Sequence, residues 1–295
     1  MEKKKHPVFN GKYNITEQIG QGNTSKVYLG EAVDATVQPQ KVAIKILKAE
    51  FIDRSEDNLQ SFRNEIIILK KLAHVNVVKQ CGFGDDGLII KPSGRRLENL
   101  IYLIMEYAEG KLLFDVCKSN GAMGEDVGRN FARQMIDCMG YLEENRIAHR
   151  DLKLENIIMT TNGTVKLVDF GFACQKVIDG LKSYRGTFTY MAPEIKEGKV
   201  YSGPKVDLFS FGVILFVVTH GIFPFKEARP QEYFYNLLLT GQHALYWNKV
   251  NGNSLSPQFK DLILKLLSND PNERPSVQQI REHPWMQTHY NVQSA

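Results

Sequence analysis

His149-Arg150-Asp151-Leu152-Lys153-Leu154-Glu155-Asn156, followed by Val168-Asp169-Phe170-Gly171, is the stretch on which the reading of this 295-residue chain turns. It sets Asp151, Asn156 and Asp169, whose oxygens suit a hard cation or a proton, beside Lys153. Moving a phosphoryl group asks little covalent work of a protein. It needs cations clamped on the phosphates and one carboxylate near the acceptor. These residues offer the oxygen ligands and the acceptor group. A single Asp-Phe-Gly tripeptide is chance-level evidence, and three polar residues in surface loops is the plain alternative.

Upstream lies Ile19-Gly20-Gln21-Gly22-Asn23-Thr24-Ser25-Lys26-Val27. Without β-carbons at its glycines, such a turn lets backbone amides approach phosphate oxygens closely. A dinucleotide-binding turn requires a helix directly after the glycines, and here Val27 and Leu29 read as a strand. A Walker loop would end in Gly-Lys-Ser/Thr, which is absent. That leaves a glycine-rich hairpin folded over a nucleotide. Lys45, mid-strand in Val42-Ala43-Ile44-Lys45, is costly to bury without an anion, although strand lysines also snorkel to water. Glu65 flanks the apolar stripe of the following helix. Pairing with Lys45 would satisfy both groups and aim the ammonium at phosphates, whereas an exposed helical glutamate is the ordinary fate of that residue type.

In order from Gly20 to Trp285 these stretches resemble the eukaryotic protein kinase family, and the ordered set makes coincidence negligible. The resemblance implies that Asp151 accepts or orients the substrate hydroxyl and that Lys153 steadies the γ-phosphoryl. It makes Asn156 and Asp169 the magnesium ligands. ATP and Mg2+ are then the implied cofactors. Val27, Ala43 and Ile158 would sandwich the adenine, with Ile19, Gly20, Gly22 and Ser25 over the nucleotide. Met105 occupies the gatekeeper position, and backbone groups of Glu106 and Ala108 the hinge. Ala192-Pro193-Glu194 and Arg274 resemble a distant ion pair, and Asp207 an anchor beneath the catalytic loop.

Lys153 and Gly186-Thr187 resemble the serine/threonine class, with Thr187 expected to contact Asp151 and Lys153. The ending from Asp270 to Trp285 most resembles the calcium/calmodulin-dependent and AMP-activated kinase group. Arg150 beside Asp151 resembles kinases switched by activation-segment phosphorylation, and Ser183 stands at the position usually modified. Protein substrates and an upstream activating kinase are the implied partners. Departures from the pattern are Ser25 for a third glycine, Thr24 for an aromatic, Leu154 for proline and Leu112 for glutamate. The last puts Arg-directed specificity in doubt. Gln80 replaces an apolar residue linking the helix of Glu65 to the core. A pseudokinase scaffold and a dual-specificity enzyme are the alternatives.

The expected fold is α+β and bilobal: a small antiparallel-sheet N-lobe with one major helix, then a larger, mainly helical C-lobe. Tyr13, Ile15 and Ile19 keep odd spacing, continued by Val27 and Leu29, and read as strands; alternating Val42, Ile44 and Ile46 mark a third, and Leu59, Phe62, Ile66, Leu69 and Ala73 one helical stripe with Ser55 as N-cap. Strands are expected near Val77 to Phe83 and Leu100 to Met105, with a polar surface hairpin over 84–98. Residues 1–12, including Lys3, Lys4 and Lys5, read as a solvated leader. The kinase-like domain is expected over 13–286 (13–106 and 107–286), with 287–295 as a tail.

Hydrophobic residues at 43% and charged residues at 24% are ordinary globular composition. A net charge of +4 carries no footprint for nucleic acid or an anionic membrane. Cys81, Cys117, Cys138 and Cys174 form no CxxC pair, so neither zinc nor a disulfide scaffold is expected. Cys174 is a candidate redox handle of low weight. Glu2 after Met1 excludes N-myristoylation. The longest apolar run, Phe211 to Val218, is short of a membrane span, which needs about 20 residues. A monomeric, soluble protein of the cytoplasm or nucleus is the expectation.

Overall fold

The computed structural model of the chain describes residues 6–22, 24–47, 56–176 and 178–288, with the side chains of 56–58 left aside. It divides into two compact units between Glu109 and Gly110.

The first unit is an antiparallel sheet with one long helix. Its strands are β1 (Val8–Phe9), β2 (Tyr13–Gln21), β3 (Ser25–Ala32), β4 (Lys41–Leu47), β5 (Gln80–Ile90) and β6 (Arg96–Glu106); the helix is α1 (Glu56–Leu69). The long strands lie in the order β2-β3-β4-β6-β5. Val42, Ile44 and Ile46 enter a core with Phe9, Tyr13, Ile15, Ile89 and Tyr102, as alternation predicts. The opposite face of β4 is covered too: Ala43 and Lys45 are each 9% exposed.

Four details correct the sequence reading. The expected leader contributes β1, which pairs with β2 and β5 and buries Phe9 completely. A two-residue strand is too short to show a period. Ile19 does not share the face of Tyr13 and Ile15, because β2 slips register between Ile15 and Glu17 and again between Gln18 and Gly20. Each bulge changes which side the following residues face, and Ile19 ends up exposed. Helix α1 stops at Leu69, so Ala73 lies beyond it and is exposed, while Leu72 is buried instead. The 84–98 segment is a hairpin, but β5 and β6 run far into it and leave only 91–95 as its tip. Ser55 and Lys3 to Lys5 lie outside the described residues.

The second unit opens with β7 (Gly110–Leu112), α2 (Leu113–Asn120) and α3 (Gly124–Glu144). Then come β8 (Ile147–Ala148), β9 (Ile157–Thr160), β10 (Val165–Leu167) and β11 (Cys174–Gln175). Helices α4 (Pro193–Lys196), α5 (Gly203–His220), α6 (Tyr233–Leu239) and α7 (His243–Lys249) follow, then α8 (Pro257–Leu266), α9 (Val277–Arg281) and α10 (Pro284–Gln287). At 18 residues and mean hydropathy 1.3, α5 has the length and composition of a membrane span, which its interrupted apolar run concealed. It is instead the hub of this unit. Phe209, Phe211 and Phe216 are fully buried, each worth about 1.5–3 kcal/mol of burial. Helix α3 lies against it so closely that a β-carbon at Gly128 would collide with Thr219 Oγ1. The C-terminal helices are tied to α3 through Arg129, which donates to the Trp285 carbonyl, and Glu125, which accepts from Trp285 Nε1. Cys81, Cys117 and Cys174 are free thiols. Burial raises the Cys174 thiol, against the redox role.

Candidate active site

In the first unit, β4 projects Lys45 toward α1, where its Nζ donates to both Glu65 oxygens at 2.9 and 2.7 Å. Glu65 is 1% exposed. A carboxylate buried that deeply requires a cation, and the strand lysine supplies it. The glycine-rich segment forms the β2–β3 hairpin: Gly20 pairs with Val27, Gln21 with Lys26, and Gly22 N–H donates to the Ser25 carbonyl at 2.9 Å. A β-carbon at Gly22 would meet nothing closer than Ser25 Oγ at 3.7 Å, ordinary contact, so internal packing does not demand a glycine there. Asn23 is outside the described residues. Val27, Ala43 and Met105 sit on neighbouring strands, Val27 opposite Lys45 and Ala43 opposite Met105. Glu106 N–H donates to the Lys79 carbonyl, and its side chain accepts from Lys79 N–H, both at 2.9 Å. Ala108 follows in the irregular stretch before Gly110. Gln80, the polar departure, has Nε2 and Oε1 both buried with no hydrogen-bond partner among the described residues.

In the second unit the loop after β8 is pinned from below. Asp207 on α5 accepts from His149 N–H and Arg150 N–H, each at 2.7 Å. Those bonds hold Arg150 at φ +63, a left-handed conformation that costs a non-glycine residue about 1–3 kcal/mol. Burial pushes the Asp207 carboxyl up to about 7, and the two backbone donors oppose that shift. His149 is fully buried, and burial lowers its pKa. Its Nδ1 faces Asp151 N–H at 3.3 Å and its Nε2 the Val168 carbonyl at 3.3 Å. A neutral ring protonated on Nε2 satisfies both contacts.

This frame sets out Asp151, Lys153, Asn156 and Thr187 as one cluster. Asp151 Oδ1 accepts from Thr187 Oγ1 at 2.8 Å, and Oδ2 lies 2.7 Å from Lys153 Nζ. Lys153 also donates to Thr187 Oγ1 at 3.1 Å. Asn156, in a 3-10 turn from Leu154 to Asn156, donates Nδ2 to the Asp151 carbonyl at 2.9 Å and to its carboxylate at 3.2 Å. That use of the nitrogen fixes the amide's orientation and leaves its oxygen as the atom that could accept a cation. Val168 N–H donates to the Asn156 carbonyl at 2.9 Å, so Asp169 follows directly on a bond to the other expected ligand. Asp169 has φ +61, a second left-handed residue at the site. Ile158 lies on β9, opposite Lys166 and Leu112.

Arg150 donates to Ser183 Oγ at 2.9 Å. Sequence reasoning missed two members of this arrangement. Tyr201, whose OH donates to the Ser183 carbonyl at 2.9 Å, carries no motif. His149 lay inside the decisive stretch without a role. The remote pair of Glu194 and Arg274 is formed, at 2.7 and 2.8 Å.

The family model described as the protein kinase domain matches residues 13–286. The chain is similar to the SNF1-like protein kinase ssp2 of Schizosaccharomyces pombe, 36% identical over 277 residues, 93% of this chain and 44% of that protein. It is 32% identical over 292 residues to the probable serine/threonine-protein kinase MARK-C of Dictyostelium discoideum, 98% of this chain and 35% of the relative. With the CBL-interacting serine/threonine-protein kinase 5 of Arabidopsis thaliana it shares 30% over 295 residues, 98% of this chain and 61% of the other. The chain thus spans less than two thirds of each of these relatives. Their names fall in the group that the C-terminal motifs resemble.

Proposed function

The chain belongs to the protein kinase family, and from that premise we propose that it transfers the γ-phosphoryl of ATP to serine and threonine hydroxyls of protein substrates. The observation that carries the reading is the Asp151 carboxylate held by Thr187, Lys153 and Asn156 at once. Kinases of this family use ATP and Mg2+. The donor set suits that ion: an amide oxygen of Asn156 and a carboxylate of Asp169 are hard ligands of the kind magnesium takes together with phosphate and water. An ion held there would supply positive charge against the phosphates. Asp151 orients the substrate hydroxyl and takes its proton on a carboxylate oxygen, with Thr187 as the positioning residue. Lys153, already beside that carboxylate, offers its ammonium to the moving phosphoryl. In the first unit, Lys45 is held by Glu65 to meet the nucleotide's phosphates. The glycine-rich β2–β3 hairpin is where backbone amides would approach the nucleotide's phosphates.

Regulation at Ser183 belongs to the same proposal. A phosphate placed on its oxygen by an upstream kinase meets the Arg150 guanidinium already bonded there, and such a charge-assisted pair strengthens the segment. A Ser183→Ala enzyme with full activity would remove this part. Cytoplasm or nucleus is the proposed setting, in keeping with four cysteines spaced too widely for a CxxC pair. The test of the main reading is incubation with Mg-ATP and generic protein substrates, followed by phosphoamino-acid analysis. Phosphoserine and phosphothreonine are expected; phosphotyrosine would show dual specificity, and ATP binding without transfer would show a scaffold.

A further inference from the structure

The segment after Thr187 carries a cationic patch that no motif assigns. Thr187 Oγ1 is bonded to the Asp151 carboxylate, and the Cα of Phe188 follows about 3.8 Å along the chain. A substrate whose hydroxyl reaches Asp151 lays a residue beside that hydroxyl against Phe188 and whatever packs on it. Phe188 is 45% exposed. Two cations attend it, Lys196 Nζ at 3.9 Å from the ring centroid and the Arg229 guanidinium at 5.4 Å.

These cations are poorly balanced. The Lys196 side chain is 1% exposed, yet among the described residues its Nζ has no hydrogen-bond partner, and neither has the buried Oε2 of Glu227, 3.7 Å away. The same Glu227 oxygen lies 3.3 Å from Arg229 Nε, so one carboxylate faces two positive charges. Glu232, whose charge also reaches Lys196, is committed elsewhere: its oxygens accept from Tyr235 N–H at 2.7 Å and Lys226 N–H at 3.4 Å. Glu155, closer to Asp151 in sequence, accepts from Tyr190 OH at 3.3 Å.

An ammonium so buried and so thinly partnered works against folding, and stability alone would be better served by an apolar side chain at 196. What the arrangement provides is a positive field in low dielectric behind an exposed ring. Arg229 brings that charge to the surface: its side chain is 46% exposed, and only its Nε is engaged by an acid among the described residues.

We infer that Arg229, seated on Phe188 with Lys196 behind the ring, selects protein substrates bearing an acidic residue beside the phosphorylated serine or threonine. This rests on the kinase reading and names the substrate class of that same site. The planar guanidinium can take a carboxylate through its remaining nitrogens. A lysine at the same place in the substrate meets the unbalanced positive charge and is rejected. An apolar residue packed on the open part of the Phe188 ring is the competing occupant.

The test uses the full chain, Mg-ATP and peptides that differ only in the residues flanking one acceptor serine: glutamate, alanine, leucine or lysine. For each peptide kcat/KM is measured with the wild type, Arg229→Gln, Arg229→Glu and Lys196→Met. The wild type is expected to prefer glutamate over alanine by about tenfold, the effect of one well-placed charge pair. Arg229→Gln should reduce that ratio to about threefold or less, Lys196→Met should lower it in the same direction, and Arg229→Glu should turn the preference toward lysine. Arg229 is exposed, so its variants are expected to fold. Equal rates for glutamate and alanine, or a leucine preference, overturn the inference while leaving the kinase reading intact. A wild type that phosphorylates none of the peptides overturns the reading and the inference with it.

Discussion

Lys45 meets Glu65 at 2.7 and 2.9 Å in the first unit, and Arg274 meets Glu194 at 2.7 and 2.8 Å in the second. By distance and burial the two pairs are near equals. Their surroundings differ. Arg274 also donates Nε to the Ser268 carbonyl and Nη1 to the Lys205 carbonyl, both at 3.0 Å, and lies 4.9 Å over the Phe209 ring. Lys205 Nζ donates back to the Arg274 carbonyl at 2.8 Å. That guanidinium is spent on the protein, bracing α4 against the chain ahead of α9. Lys45 ends instead in a compact ammonium, and among its partners are the Glu65 carboxylate and, at 6.0 Å, the Phe62 ring. The first geometry suits a brace, the second a charge held for a ligand.

Charge-conserving exchanges should separate the two roles. Arg274→Leu leaves Glu194 buried and unpaired and is expected to cost about 3–5 kcal/mol of stability, seen as lost soluble protein or a much lower Tm. Arg274→Lys keeps the charge but not the fork; Tm should fall while kcat per folded molecule holds. Lys45→Arg is the converse. Its Tm should stay near wild type, and kcat/KM for phosphoryl transfer should drop about 100-fold, because a bulkier planar group cannot reproduce the ammonium's position. An active Lys45→Arg, or an inactive but folded Arg274→Lys, would break the contrast.

Two smaller effects sharpen it, since each concerns a buried polar group without an adequate partner. Burial, opposed in part by Glu227 and aided by Arg229, lowers Lys196 to about 8. Its folded pKa is below the unfolded value of 10.5, so below pH 8 the folded protein bears the full cost of the buried charge. Between pH 8 and 10.5 the unfolded chain holds the proton that the folded one has released, and stability recovers as pH rises. Lys196→Met should therefore be more stable than wild type at pH 7, by about 2 kcal/mol, with the advantage shrinking as denaturation is repeated toward pH 10. Gln80→Leu removes two unsatisfied amide atoms beside Met105 and should add about 1–2 kcal/mol to the first unit, read as a higher denaturation midpoint.

Legibility in the sequence followed locality. The Asp151 to Asn156 loop, the glycine hairpin and β4 declare themselves through residues a few positions apart, and the turn, hairpin and strand are formed where they were read. The partnership of Lys45 with Glu65 was open to inference because burying either alone is so costly. What stayed hidden was set by tertiary packing. Two bulges turned Ile19 outward, a two-residue strand buried Phe9, and the burial of most of α5 on every side made an amphipathic search uninformative. Phe188, Lys196 and Arg229 come from separate segments, and nothing in their spacing announces that they meet.

The most direct test of the account is a single-turnover measurement of labelled γ-phosphate transfer from Mg-ATP to a serine-containing protein substrate, comparing the wild type with Asp151→Asn. The account predicts phosphoserine from the wild type and a loss of at least about 100-fold in the variant, with ATP binding and Tm retained. Equal transfer by both proteins, or none by a wild type that binds Mg-ATP, would contradict it.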